Sequence, residues 1–491
     1  MSPAARAWRA GWGRLASVLA LSAAVACSDP APPAPPNVVL IIADTLRADR
    51  LSVQGGPPGL TPHLDALAAE SARFAAANAH APWTLPSIAS LLTSLHPLEH
   101  GAGGRVPRFT GLDPAVTTLP DVLKKRGYAS HAIVNVTFLD PKTFGVTRGF
   151  DDVDQVSFEN NVEVRAATST TDAALRWLDA RDGSNGPKGS GGTGGTGGSG
   201  STGGTGGTGG SGGSGAPFLL LVHYFDPHAV YAPPPHFREV WAAEQDRKSA
   251  WTFGTREEMV ALRAGQLDLS RATIARAARL YDGEVAYLDA EVGRLLAGLT
   301  ARGLDDDTVV VFTADHGEEF LEHGSFEHGH SLFEELLHVP LMIRAPGLAP
   351  TVVEDRVRLV DVAPTICELL DLPAPDAFVG ESLLPLARGA EHGARPVFAH
   401  GNFWRAPLSS WTAGEWKLIV EASGAAHLYH LAADPREQTD LAAAEPARVA
   451  ALRASLKAAQ DAMSALARGG HAALTEAQQR ALSGLGYGGG D

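Results

Sequence analysis

Three apolar runs constrain this chain more than any other feature: "NVVLIIAD" (37–44), "PFLLLVHYFD" (217–226) and "DDTVVVFTAD" (306–315). Each is rich in β-branched and large apolar residues and lacks an alternation of wet and dry positions, so each reads as a strand buried on both faces. The stretches between them carry helical patterns, among them "TPHLDALAAESARFAAA" (61–77), "DAALRWLDA" (172–180) and "YDGEVAYLDAEVGRLLAGL" (281–299). Strand and helix in alternation predict an α/β fold with a large, mainly parallel sheet flanked by helices. With 491 residues, 44% of them hydrophobic, the chain can bury the core such a sheet needs.

Every run ends in an aspartate: Asp44, Asp226 and Asp315. Ligands of open α/β sheets bind beyond the carboxyl ends of the strands, so the three acids are expected to converge on one site. A single such Asp would read as the cap of the next helix, whereas three, two with close histidines, point to a metal. His316 follows Asp315 in "TADHGEEFLEHGSFEHGHSL", and His228 stands two residues past Asp226 in "HYFDPHAVY". His323, His328 and His330 extend the set; His328 is the chosen ligand and His330 the alternative. Carboxylates with imidazoles suit zinc or manganese, in one or two ions. Calcium, which prefers all-oxygen shells, is the less favoured choice.

The segment "APWTLPSIASLLTSLHP" (81–97) joins a stiff extended piece to an amphipathic helix and puts Thr84 at the junction. Position alone does not separate a capping threonine from a nucleophile. Free backbone N–H groups at the start of a helix begun by Pro86 would favour an anion there in either case.

The N-terminal "MSPAARAWRAGWGRLASVLALSAAVAC" places Arg6, Arg9 and Arg14 before an apolar run, Leu15 to Ala26, too short to span a bilayer. Residues 1–26 read as an export signal, with Ala24-Val25-Ala26 as a small-x-small cleavage site. Cys27 reads as a lipidation site of the bacterial envelope, in the periplasm or at the outer membrane. A Pro-rich spacer, 27–36, would hold the body off that membrane. Beyond Cys27 only Cys367 remains, so no disulfide framework is expected. Residues 183–217, dominated by Gly, Ser and Thr, read as a flexible surface insertion within a 37–370 domain, with 371–491 as a C-terminal region. A net charge of −15 without a dense Lys/Arg run argues against nucleic acid as a partner.

A series of motifs in chain order resembles the sulfatase family of the alkaline phosphatase superfamily: "PNVVLIIADTLRADRL", "PWTLPSIASLLTSLHP", "VHYFDPHAVYAPP", "YDGEVAYLDAEVGRLL", "TADHGEEFLEHG", "LFEELLHVPLMIRAPG" and "HLYHLAADPREQTDLA". The resemblance implies a large α/β domain with metal and nucleophile at the carboxyl ends of its strands. It also implies a smaller C-terminal region with a helix and a short antiparallel sheet, into which "WKLIVEA" and "AHLYHLA" fit. Asp44, Asp315 and His316 match the family's metal positions directly.

The departures bear on chemistry. Where the family carries the Cys or Ser that matures to formylglycine, in the frame C/S-x-P-x-R, this chain reads Thr84-Leu85-Pro86-Ser87-Ile88. Threonine cannot become that aldehyde, and Ile88 replaces its supporting arginine. The family's Gly-Lys-Trp-His segment is "VNVT" (134–137), its later sulfate-binding lysine aligns with Gly329, and the second of its paired aspartates is Thr45. What remains is similar to relatives with a threonine nucleophile, the nucleotide pyrophosphatase/phosphodiesterases and phosphoethanolamine transferases.

The expectation is therefore an ester hydrolase of sulfuric or phosphoric esters, leaning to phosphoesters, with a covalent Thr84 intermediate. Asp44, Asp315 and His316 would hold one metal, and Asp226, His228 and His328 would hold a second or serve the leaving group, with His228 catalytic. Asn135 and His330 would contact substrate. A small-molecule, glycan or lipid-headgroup ester is the substrate class. A degenerate binding protein or a phospho-group transferase are the alternatives.

Overall fold

The computed structural model describes residues 34–156, 164–181, 215–264, 266–267, 269–390, 395–464, 470–484 and 487. The export signal, Cys27 and nearly all of the Gly/Ser/Thr stretch lie outside them. Eight strands form the large sheet: β1 (Asn37–Ala43), β2 (Ala72–Asn78), β3 (Ala129–Val134), β4 (Asp152–Gln155), β5 (Phe218–Tyr224), β6 (Thr308–Ala314), β7 (His338–Arg344) and β8 (Thr351–Arg358). Their order is β8-β2-β7-β6-β1-β5-β3-β4, and only β7 runs against the rest.

The three apolar runs are the adjacent central strands β6, β1 and β5, and every residue of β5 and β6 is buried. Their register decides what leaves the sheet together. Ala43 pairs with Ala314 on one side and with Tyr224 on the other, while Ile42 pairs with His223. Asp44 and Asp315 are the next residues after paired alanines, so they emerge side by side at one sheet edge, with His223 two residues back on the neighbouring strand and therefore on the same face.

Helices α1 (Pro62–Ala69), α2 (Thr84–Thr93), α3 (Ala167–Arg181), α4 (Arg271–Ala301) and α5 (Val362–Leu369) surround the large sheet, while α6 (Pro446–Ser464) packs on the C-terminal strands 408–413 and 416–420 and α7 (Glu476–Gly484) against the turn at 137–139. The long α4 anchors its neighbours. Its Asp289 accepts from the amides of His63 and Leu64 at the start of α1, and its Arg294 pairs with Asp172 of α3. One helical expectation fails: only the first half of 61–77 is helix, and "ARFAAAN" is β2. Alanine's helix preference yields because the segment lies between β7 and β8, where small side chains suit a covered strand. At the other end of α3, Arg181 Nη2 donates to the Ala216 carbonyl at 2.6 Å, so the end of the helix and the approach to β5 meet.

The C-terminal region holds a four-stranded antiparallel sheet, β9 (Val397–Gly401), β10 (Leu408–Ala413), β11 (Trp416–Val420) and β12 (Ala426–His430), in sequential order. Both strands expected there are present as β11 and β12. This sheet is tied to the main body by the fully buried Lys417, whose Nζ lies 2.8 Å from Glu334 and 3.0 Å from Glu437. Pro35–Asp491 form one compact unit. Among the described residues no helix is long and apolar enough to cross a membrane.

Candidate active site

At the carboxyl edge of the central strands, Asp44, His223 and Asp315 bring ligand atoms within 4.8 Å of one another, all buried. Asp315 is held by one oxygen only. The amides of His316 and Thr45 donate to its Oδ1, at 2.9 and 3.3 Å, while buried Oδ2 has no hydrogen-bond partner. Both oxygens of Asp44, both ring nitrogens of His223 and the hydroxyl of Thr45 are likewise buried without a protein partner. His223 Nε2 stands 3.5 Å from Asp44 Oδ2, an ion-pair distance without hydrogen-bond geometry. Buried polar atoms left this way are costly unless something else satisfies them. Their convergence fits a divalent cation.

His316 completes the arrangement. Its Nδ1 lies 3.0 Å from the Gly317 carbonyl, which assigns the proton to that nitrogen and turns an Nε2 lone pair inward. Nε2 lies 3.5 Å from Asp44, 3.4 Å from Asp315 and 3.4 Å from Thr84 Oγ1. Two carboxylates, two imidazoles and a hydroxyl form a donor set suited to zinc or manganese. Burial resists ionisation of Asp44, but His223, His228 and His316 outweigh it and hold the carboxyl below the usual carboxylate range. Burial and the charge on Asp44 push Asp315 up to about 6. The same two acids raise His316 against its burial.

Thr84 is the first residue of α2, and Trp83 is the N-cap, with no side-chain capping bond. The helix thus starts two residues before Pro86, and the threonine hydroxyl is free of a capping duty. Every residue of α2 is buried, and Ser87 Oγ donates to the Asp315 carbonyl at 2.5 Å, fixing the helix start against the end of β6. Thr45, at the family's second aspartate position, sits in the left-handed region at φ 58°, a conformation costing a β-branched residue about 1–3 kcal/mol. Tyr281 of α4 holds it, donating to the Thr45 carbonyl at 2.8 Å and accepting from the Arg47 amide at 3.1 Å.

His228 and His328 form a second pair beside the first, their ring centres 4.9 Å apart and that of His328 4.6 Å from His316. His228 Nδ1 is 2.7 Å from the Ala229 carbonyl, and His328 Nδ1 is 2.9 Å from Glu318 Oε1. Glu318 also accepts from Tyr231 at 2.8 Å, and burial pushes it up to about 7. Both histidines turn Nε2 to the Tyr487 hydroxyl, at 2.7 and 3.0 Å.

The other expected site residues are engaged elsewhere. Asp226 faces the Ala167 amide at the start of α3 and the carboxyl of Glu284, not the Asp44 cluster; a turn after β5 carries it away from the metal-ligand group. Burial pushes Asp226 up to about 6. Asn135 spends its amide hydrogens on Thr170 Oγ1, at 2.9 Å, and on the carbonyl of His223, at 2.5 Å. It therefore steadies the strand that carries a ligand instead of presenting a donor to substrate. His330 Nε2 is 2.6 Å from Glu319 Oε2, a pairing that occupies that nitrogen.

Sequence reasoning missed His223, Glu318 and Tyr487. His223 did carry a signal, as the one imidazole inside an otherwise largely apolar buried strand. The positions that lost basic residues are structurally committed. Ile88 is fully buried in the core, and a Cβ on Gly329, at φ 79°, would stand 2.8 Å from Phe403 Cβ.

A family model described as Sulfatase matches residues 36–185 and 211–372, and one described as N-sulphoglucosamine sulphohydrolase, C-terminal, matches 321–464. Choline-sulfatase of Rhizobium meliloti (strain 1021) is 34% identical over 182 residues, 36% of this chain and 35% of that one. Arylsulfatase K of Canis lupus familiaris is 25% identical over 450 residues, covering 84% and 80% of the two chains. The crystal structure of the phosphonate monoester hydrolase of Agrobacterium radiobacter has the same fold, with a TM-score of 0.64 at 22% identity over 88% of this chain and 96% of that one.

Proposed function

The chain belongs to the sulfatase family of sulfuric ester hydrolases, and from that premise we propose that it cleaves its ester through a covalent bond to Thr84, with phosphoric esters favoured over sulfuric. The observation that carries the reading is the Thr84 hydroxyl, released from capping, 3.4 Å from the inward nitrogen of His316 and beside the unpartnered oxygens of Asp44 and Asp315. Asp44, His223, Asp315 and His316 would hold a zinc or manganese ion. The chemistry such an ion supplies when bound is a lowered pKa at a neighbouring hydroxyl and neutralisation of charge on the transferred group.

The remaining work falls to the chain. Thr84 Oγ1 gives up its proton to solvent and bonds to phosphorus or sulfur as the bond from that centre to the ester oxygen breaks, and the departing oxygen takes a proton from a protonated imidazole, His228 or His328. Water then cleaves the Thr84 ester and restores the hydroxyl. The free amides at the start of α2 favour the anionic group throughout. Threonine offers no aldehyde hydrate for the family's usual turnover, whereas a phosphothreonine can be hydrolysed directly, and this supports phosphoryl chemistry. The relatives named for choline and aryl sulfates support a small-molecule ester as substrate. Export with a lipid on Cys27 is part of the same proposal and rests on the N-terminal sequence.

The test is a panel of aryl phosphate, phosphodiester and sulfate esters with zinc or manganese. Thr84→Ala should abolish turnover without loss of folding, and Thr84→Ser should retain part of it. Full activity in Thr84→Ala would refute the nucleophile, and prevailing sulfate cleavage by the native chain would refute the phosphoryl preference. The loss of basic residues at Ile88 and Gly329 favours a second reading, a binding protein without catalysis. That reading stands if the metal-loaded protein turns over no ester in the panel.

A further inference from the structure

The residues on the reacting side of the site are almost sealed from solvent: Thr84 is 5% exposed, and His228 and Tyr487 are each 7% exposed. The seal includes a side chain that sequence distance conceals, since Tyr487 is 259 residues from His228. His228 and His328 each fix Nδ1 on an internal partner, the Ala229 carbonyl and Glu318, so Nε2 is the one nitrogen each presents to the interior. The Tyr487 hydroxyl takes both, at 2.7 and 3.0 Å. Its ring packs on an aromatic wall, with centroids 5.0 Å from Phe403, 5.9 Å from Trp404 and 6.1 Å from Phe138.

We propose that Tyr487 is a specificity-determining residue that fills the leaving-group pocket, its phenol standing where the alcohol part of the ester binds. The structure places an aryl hydroxyl oxygen between the two imidazoles that would otherwise meet the departing oxygen, one ring from the imidazole beside Thr84. A phenol is also what an aryl ester leaves behind after losing its phospho or sulfo group, so the chain presents its own likeness of that product. The slot is lined by aromatic rings that meet the phenol tilted or edge-on, and an ester of an aromatic alcohol can replace the ring with a similar one. A small aliphatic alcohol would displace the same contacts without restoring them. The backbone tether of Tyr487 is short of support from its own helix: its amide donates to the Leu482 carbonyl at 2.7 Å, and the preceding helix α7 buries only Ala481 and Leu482.

This inference rests on the ester-cleaving reading of the site, but its test does not need turnover. The probe is p-cresol, the tyrosine side chain as a free molecule, titrated by calorimetry into the full-length, metal-loaded protein and its Tyr487→Gly and Tyr487→Phe variants. Removing the ring should tighten p-cresol binding by about tenfold or more. Removing only the hydroxyl should tighten it by at least about fivefold, the size of one modest hydrogen bond of the two it makes. KM for an aryl ester should fall in Tyr487→Gly while KM for a methyl ester does not. If the glycine variant does not fold, the phenylalanine variant decides alone. Unchanged p-cresol affinity in a folded variant would overturn the proposal, as would an equal loss of kcat on aryl and methyl esters. Cresol binding that tightens in a protein with no turnover on any ester would uphold the pocket while refuting the catalytic reading.

Discussion

Gly317, the residue after His316, shapes the turn that carries the site without contributing a side chain to it. A Cβ added there would lie 2.0 Å from the Glu335 carbonyl oxygen and 3.3 Å from Arg47 Cγ, where real contacts stay above 3.0 Å. The two backbones must therefore separate by at least about 1 Å. Glu335 belongs to a short helical turn, Glu334–Leu337, and Gly317 donates to the Leu336 carbonyl at 2.9 Å, so the strain falls on the 315–317 turn that carries two candidate ligands. Overpacking of this kind costs about 1–3 kcal/mol. With an unfolding entropy of ~2.1 cal/mol/K per residue, that lowers Tm by only about 1–3 °C in a chain of this size. Misplacement by ~1 Å, by contrast, costs on the order of 100-fold in rate. Steady-state kcat/KM of Gly317→Ala, measured beside calorimetric Tm and bound metal, should thus show a large kinetic loss in a nearly intact fold. Gly470→Ala, where a Cβ meets nothing within 4 Å, is the control. Retention of kcat/KM within about twofold in Gly317→Ala would refute the claim that this turn sets the geometry of the site.

His223→Ala should lower affinity for zinc or manganese by about 100-fold or more, read by metal analysis after dialysis, because it removes one of three convergent buried ligands. Lys417→Met should cost about 3–5 kcal/mol by stranding Glu437 without its buried cation, which calorimetry would register as a Tm about 3–5 °C lower. Glu335 holds His323 up to about 9 despite its burial, so this pair contributes stability that is fully present below pH 6.5 and lost as pH rises through about 9. Discounted for solvent, that is about 2 kcal/mol, and His323→Gln should flatten the denaturation profile across that window. Cys27→Ser should release the protein from the bacterial membrane fraction, and an unchanged soluble distribution in both forms would leave secretion alone.

The sheet was legible because its three central strands are apolar on both faces, a pattern that few other structures require. The strand Ala72–Asn78 was not, since alanine's local preference says helix and only the partners on either side say otherwise. At the site, Asp44, Asp315, His316 and Thr84 were readable from position, and the structure brings them together. Asp226 had the same signature, an acid at the end of a buried run, yet the turn after β5 sends it to α3 and Glu284. Sequence shows that an acid leaves the sheet but not in which direction. Asn135 stands close to the site through its bond to the His223 carbonyl, a contact invisible without the register of β3 and β5. Tyr487 lies beyond any local pattern, because its meaning comes from two histidines far away in the chain.

The bond from Arg181 to the Ala216 carbonyl has a practical side. That bond holds the carboxyl end of α3 beside the amino end of β5. The candidate site lies at the opposite end of that strand, about 20 Å away at ~3.3 Å per residue. Whatever length of sequence runs between those two anchors, the clasp fixes the distance its ends must span. A fluorescent or affinity module spliced in there would be carried by the enzyme as cargo, and its host would keep the geometry around Thr84 undisturbed.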